Sequence, residues 1–331
     1  MASNSKSYLL LIVLTTIATE LFSQAQFKKD LAHTYSVVLR DKNTGEMAVG
    51  VQSHWFAVGT RVSWGKSGVG AIATQSFTNP AYGPDGLKLL SQGKSATEVL
   101  EIITKGDEGI DFRQVAVIDA NGNVAAYTGK KCIKSAGHLI GDNYSVQANM
   151  MLNDLVVPAM AKSLEQSINL PIAERVVQAL LAAQDAGGDI RGKQSAALIV
   201  MGSKKTEKPW LDKTIDLRVD DHAEPLKELQ RLLTVHQAFV YMNEGDAAIE
   251  TGDMAKGLKQ YEAAAKMLPD NLEMKYWRAV TLANNDRLDE ALVIFKEVFG
   301  KDENWRELTK RLPASDLLNL SDKDLDTIIK L

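Results

Sequence analysis

Three strand–turn–strand units between residues 34 and 128 restrict the folds open to this chain more than any other feature. Each pairs two short, largely apolar runs across a turn carrying Gly or Asn, residues that tolerate tight-turn backbone angles. In the first, Tyr35, Val37 and Leu39 alternate with Ser36, Val38 and Arg40, Asn43-Thr44-Gly45 turns the chain, and residues 46–53 return. The second pairs Arg61–Gly65 with Val69–Ser76, and the third pairs Arg113–Ala120 with Val124–Thr128 around Asn121-Gly122-Asn123. Late strands are predicted at Ser195–Met201 and Thr214–Val219. Helices are predicted from about Asp85 after the Asn79-Pro80 turn, from Ser95 to near Gly106, and over Asn153–Gln166 and Pro171–Gln184. Helices segregated from antiparallel strands predict an α+β fold of two stacked, mainly antiparallel sheets flanked by helices.

Around Asp221 the pattern becomes continuously helical. A 34-residue self-similarity matches Gly245 with Ala279, Gly257 with Ala291, Leu258 with Leu292, Tyr261 with Phe295 and Ala264 with Val298. Small residues at helix crossings and Pro269-Asp270-Asn271 at the junction follow the tetratricopeptide pattern, which predicts a small all-α domain over 223–331 after a first domain over 34–222. Tyr261, Phe295 and Trp277 are expected in its core.

Ahead of these, Lys6 precedes an apolar run from Tyr8 to Phe22, and Ser23-Gln24-Ala25 supplies the small residues read by a signal peptidase. The run falls short of the ~20 apolar residues a spanning helix needs. Residues 1–25 are therefore expected to be a signal peptide and 26–33 a pro-segment. The product would be exported, periplasmic or secreted, with no membrane attachment once the leader is gone. A net charge of −4 without a basic stripe argues against a nucleic-acid partner, and Cys132, the only cysteine, allows no intramolecular disulfide.

The chemistry centres on Thr34, which opens the first strand directly after the pro-segment. A threonine at a chain's N-terminus carries its own base, because its α-amine, with a pKa near ~8, can take the hydroxyl proton. With a two-residue turn at Asn43-Thr44, paired residue numbers sum to about 87, which sets Ser53 opposite Thr34. The second hairpin then returns Gln75, Ser76, Thr78 and Asn79 to the same end, with the start of the following helix close by as a source of oxyanion-binding N–H groups. Arg40 and Asp41 lie roughly 20 Å away at ~3.3 Å per residue and read as hairpin-end charges.

Several segments carry a resemblance: Thr34-Tyr-Ser-Val-Val-Leu-Arg-Asp, Gly50-Val-Gln-Ser, Ala73-Thr-Gln-Ser-Phe-Thr-Asn-Pro-Ala-Tyr-Gly-Pro, Tyr144-Ser-Val-Gln-Ala-Asn-Met, Arg191-Gly-Lys-Gln-Ser-Ala-Ala-Leu and Asp216-Leu-Arg-Val-Asp-Asp-His. In order, from about Thr34 to Leu233, they resemble the domain of unknown function family 1028. The resemblance implies an N-terminal nucleophile hydrolase-like αββα sandwich in which the first-strand Thr, Ser or Cys is the nucleophile. Here the threonine lies internally, behind leader and pro-segment, whereas many relatives need only removal of an initiator Met.

The candidate catalytic residues are thus Thr34, Asn149, Ser53 and Gln75, with Asn79, Arg191 and Gln194 for substrate binding. Each has a structural alternative. Thr34 is also a good strand former, and Asn149 either presents an amide to an oxyanion or caps a helix. Gln75 and Asn79 suit structural roles, and Gln194 and Ser195 open a strand that would neighbour the first. Arg191 and Asp189 either hold a substrate carboxylate or pair with each other. His54, His138 and His222 lack metal-ligand spacing, and no metal or cofactor is expected. Two functions follow: an exported amidohydrolase with a Thr34 nucleophile and a small-molecule or peptide amide substrate, or an inactive sandwich whose helical repeats bind a protein partner. Self-association through the repeats is a third use of that region.

Overall fold

The computed structural model describes residues 31–331, with side chains from His33 onward. The predicted leader and residues 26–30 of the pro-segment lie outside the described residues. The chain divides between Gln230 and Arg231 into two compact units.

The first unit holds two antiparallel sheets. One has the order β1 (Leu31–Ala32), β5 (Gly70–Phe77), β6 (Arg113–Asp119), β7 (Val124–Thr128), with β4 (Ser63–Lys66) also on β5. The other runs β11 (Lys213–Val219), β10 (Ser195–Met201), β3 (Met47–Ser53), β2 (Thr34–Arg40), β9 (Tyr144–Ala148), β8 (Gly137–Gly141). A four-residue helix α1 (Gly59–Val62) precedes β4. Helices α2 (Tyr82–Ser91) and α3 (Ala96–Thr104) pack on the first sheet, and α4 (Val156–Gln166) and α5 (Ile172–Asp185) on the second.

Every residue of β3, β5, β6 and β10 is buried, because each sheet is covered on both faces. Val38, Val49 and Val51 meet Ala71, Ala73, Ala116 and Ile118 between the sheets. Ile72, Val115 and Val117 face Tyr82, Leu90 and Val99 of α2 and α3. Gly50 lets α5 approach closely, since a Cβ there would sit 2.2 Å from Val176 Cγ1. Ser95 and Glu98 form a reciprocal capping box at the start of α3, a device that contributes about 1 kcal/mol.

Thr34 pairs with Ser53, as the hairpin arithmetic requires, although the turn is longer than two residues. The strands close on Asp41 and Glu46, with Lys42–Gly45 between them, and this larger loop shares the centre of the expected one. Four expectations need correction. The strand expected from Arg61 begins at Ser63, because Gly59–Val62 is helical. α2 begins at Tyr82 rather than about Asp85, with Gly83 packed under the Trp64 ring. β10 neighbours β3 and not the first strand. β8, absent from the sequence reading, is an edge strand whose residues are half-exposed or exposed and so lack a burial pattern.

A single helix, α6 (Pro225–Glu250), runs through the division. The second unit continues with α7 (Met254–Met267), α8 (Leu272–Ala283), α9 (Leu288–Lys301), α10 (Asn304–Arg311) and α11 (Asp322–Ile329). Tyr276, Ala279, Ala291, Phe295, Val298 and Phe299 form its core, and a second cluster gathers Tyr261, Ala264 and Met274. Gly245 faces the Tyr261 ring, where a Cβ would lie 2.8 Å from Cε1, so the small residue sets that crossing. No helix among the described residues is long and apolar enough to cross a membrane.

Candidate functional site

The space between the sheets is apolar through most of its length and polar at the end where Thr34 stands. Alternation along each strand turns Thr34 and Ser36 of β2, Gln75 of β5, Gln114 of β6 and Ser145 and Gln147 of β9 toward the gap, and all are buried. Buried amides need partners, and these have them. Ser36 Oγ donates to Gln75 Oε1 at 2.6 Å and accepts from Gln147 Nε2 at 2.6 Å, while Ser145 Oγ donates to Gln147 Oε1 at 2.8 Å. Gln75 Nε2 donates to Gln114 Oε1 at 2.6 Å and to the Thr34 carbonyl at 3.2 Å.

Asn149 reaches the same carbonyl, through its backbone N–H at 3.1 Å and its Nδ2 at 3.4 Å. Gln75 and Asn149 are each followed by a non-glycine residue in the left-handed region, Ser76 at φ 71° and Met150 at φ 61°. Such backbone costs about 1–3 kcal/mol per residue and gathers at functional sites. Here it falls near the end of β5 and just past β9, in each case directly after an amide that bonds the Thr34 carbonyl.

The peptide bond before Thr34 is held as firmly. The His33 carbonyl oxygen accepts from Ser53 Oγ at 2.5 Å and from Arg191 Nη2 at 2.9 Å. Arg191 is fixed in turn by buried Asp189, whose carboxylate takes its Nη2 at 2.7 Å and its Nε at 3.1 Å. The loop bearing Asp189 and Arg191 is stitched to the loop after Asn149: Leu152 N donates to Gly188 O at 2.9 Å, Ile190 N donates to Met150 O at 3.2 Å, and Met151 bridges Asp189.

The network also fixes the His33 tautomer. Gln114 Nε2 donates to the carbonyls of Ala148 at 2.9 Å and Gly137 at 3.1 Å, so Oε1 must be the atom that receives Asn149 Nδ2 at 2.9 Å. Asn149 Oδ1 then faces His33 Nδ1 at 2.6 Å, and that nitrogen carries the hydrogen. Burial lowers the His33 pKa, against a smaller upward pull from the Asn149 bond, so the ring is neutral near pH 7. It packs edge-on to Phe77 with centroids 5.4 Å apart. Its Nε2 is buried and finds no hydrogen-bond partner among the described residues.

The structure thus brings together Thr34, Ser53, Gln75, Asn149 and Arg191 from the sequence candidates. Asn79 and Gln194 stand outside the cluster. Asn79 Oδ1 accepts the Ala81 N–H in the turn before α2, and Gln194 Nε2 donates to Asp221 at 3.2 Å, although the Gln194 N–H bonds Ser53 O. Ser195 Oγ accepts from Val58 N and donates to Trp55 O, which shapes the loop after β3. Ser36, Gln114, Ser145, Gln147 and the His33 side chain are members that were not among the sequence candidates. The signal for Gln114 was a lone amide in the otherwise apolar run that follows Arg113. Among the described residues no three His, Cys, Asp or Glu gather as metal ligands would.

The family of unknown function DUF1028 matches residues 34–229. The chain belongs to that family. A DUF1028 protein from Silicibacter pomeroyi, known from a crystal structure, is similar at a TM-score of 0.55 and 27% identity, over 61% of this chain and 85% of its own. Anbu, an ancestral beta-subunit from Yersinia bercovieri, aligns over 60% of this chain and 92% of its own at 13% identity and a TM-score of only 0.31. No curated protein matches the chain. The DUF1028 region opens on Thr34 and takes in every residue of the buried network except His33.

Proposed function

We propose that this protein is an exported N-terminal nucleophile hydrolase that cleaves amide bonds with Thr34, once the chain up to His33 has been removed. The observation that carries the reading is the pair of donors, Ser53 Oγ and Arg191 Nη2, on the carbonyl oxygen of the one bond whose cleavage would free the Thr34 amine. Donors placed on a carbonyl oxygen stabilise the negative charge that develops there when a nucleophile adds to the carbon.

Self-cleavage follows from the same groups. Thr34 Oγ adds to the His33 carbonyl carbon, the charge on oxygen is met by Ser53 and Arg191, and the C–N bond breaks as the hydroxyl proton passes to the Thr34 nitrogen. Water then hydrolyses the resulting ester, releasing the His33 carboxylate and leaving Thr34 with a free amine and hydroxyl. In the mature protein that amine takes the hydroxyl proton, and an acyl-enzyme forms and is hydrolysed by the same steps. Gln75 and Asn149 hold the Thr34 carbonyl and so position the nucleophile.

Intact mass and N-terminal sequencing of the wild type and Thr34→Ala test this. The reading requires a wild-type chain that begins at Thr34 and a variant that keeps residues 26–33. A wild-type chain that is active while still beginning at Gln26 overturns it.

A further inference from the structure

In the uncut chain Leu31 and Ala32 lie in an extended, paired conformation. They pair antiparallel with Phe77 and Ser76 at the end of β5. On that side of β5 the neighbouring strand β4 reaches only to the Ser63–Ala73 pair, so the last residues of β5 offer an open edge. An open edge recognises an extended backbone through main-chain hydrogen bonds, whatever the side chains.

The next residue places its carbonyl oxygen between Ser53 and Arg191, and its ring in a closed subsite against Phe77 and the Asn149 amide, where His33 is only 1% exposed.

From this arrangement we infer that the substrate is a peptide or peptidyl amide bound in extended form along the edge of β5, and that residues 31–33 occupy its acyl side before maturation. This rests on the hydrolase reading and deepens it. The residue before the scissile bond enters the Phe77–Asn149 subsite, which takes a flat side chain with a donor beside its Cγ. The freed pro-segment is a product that can return to the channel it left. Its orphaned His33 Nε2 makes the return weak, so release is favoured.

The test uses a fluorescent peptide of residues 26–33 and the chain beginning at Thr34, obtained by its own cut or from a cleavable ubiquitin fusion. Fluorescence polarisation should show saturable binding to this chain. Binding to the uncut Thr34→Ala chain, whose channel is filled, should be at least tenfold weaker, and so should binding of a peptide N-methylated at Leu31 and Ala32. If the shortened chain shows no thermal transition, the titration moves to full-length Thr34→Ala carrying Leu31→Pro and Ala32→Pro, whose internal strand cannot pair. Absence of binding to the opened channel, equal binding to the filled one, or indifference to N-methylation overturns the inference. Peptide binding without hydrolysis of any amide would retain the channel and reject the nucleophile. Hydrolysis of non-peptidic amides without peptide binding would do the reverse.

Discussion

Arg191 meets the carbonyl oxygen of His33 at 2.9 Å across 158 residues of sequence. That bond ties a loop after α5 to the peptide link at the start of β2, and it assigns the guanidinium to a carbonyl rather than only to its carboxylate neighbour Asp189. Removing one such donor from a developing oxyanion typically costs 100-fold or more, and Arg191→Met and Ser53→Ala should each slow the His33–Thr34 cut by about that factor. The loss of residues 26–33 followed by mass over time checks it, and an unchanged rate in both variants would remove the two donors from the reaction.

Burial lowers the His33 pKa, so the unfolded segment takes up a proton before the folded one does. The seating of residues 31–33 is therefore strongest above the unfolded value of ~6.5 and weakens as pH falls from there toward the lower folded pKa. In the Thr34→Ala background, the protection of the Leu31 and Ala32 amides, measured as exchange relative to the intrinsic rate at each pH, should fall between pH 7 and 5. His33→Gln should abolish that dependence, and an equally steep profile in this variant would assign the effect elsewhere.

Gln114 accepts from both Gln75 and Asn149 through one oxygen. Gln114→Met keeps the volume but takes an acceptor from the Gln75 and Asn149 amides, which keep the Thr34 carbonyl, and a donor from the Ala148 and Gly137 carbonyls, and should lower stability by roughly 2–5 kcal/mol in urea unfolding. A loss below 1 kcal/mol would mean the amides find other partners.

At the far end of the second sheet, Arg175 Nη1 donates to Asp41 at 3.0 Å, with side chains 8% and 12% exposed. Burial alone would raise the Asp41 carboxyl, but the Thr44 and Asn43 N–H groups and the Arg175 guanidinium together hold it below the usual carboxylate range. The pair therefore stabilises the fold above the unfolded Asp value of ~3.9, and its contribution is lost as pH falls through the lower folded pKa. Arg175→Met should cost about 3 kcal/mol at pH 7 and much less at pH 2. Chemical denaturation at the two pH values measures the difference.

What the sequence made legible was set by what each feature depends on. The Thr34–Ser53 pairing depends only on where the hairpin is centred, so a turn judged two residues long, where Lys42–Gly45 intervene, still returned the right partner. The start of α2 was misplaced because Gly83-Pro84 reads as a turn, whereas the glycine is there to pass beneath Trp64. The cut before Thr34 was expected, but how the His33 carbonyl oxygen is held was not legible, because a main-chain atom leaves no trace in residue type. Arg191 was named as a candidate, yet its bond to that oxygen depends on how two distant loops are stitched, which no local pattern encodes.

The contrast between the two ends of the inter-sheet core has a mechanical consequence. Ala71, Ala73 and Ala116 present small, smooth surfaces to Val38 and Val49, and contacts of that kind hold layers together while resisting sideways slip only weakly. The Ser36, Gln75, Gln114 and Asn149 bonds are directional and tolerate displacements of only a few tenths of an ångström. The sandwich is therefore glued along its length and keyed at one end, and the keyed end is the one that carries Thr34.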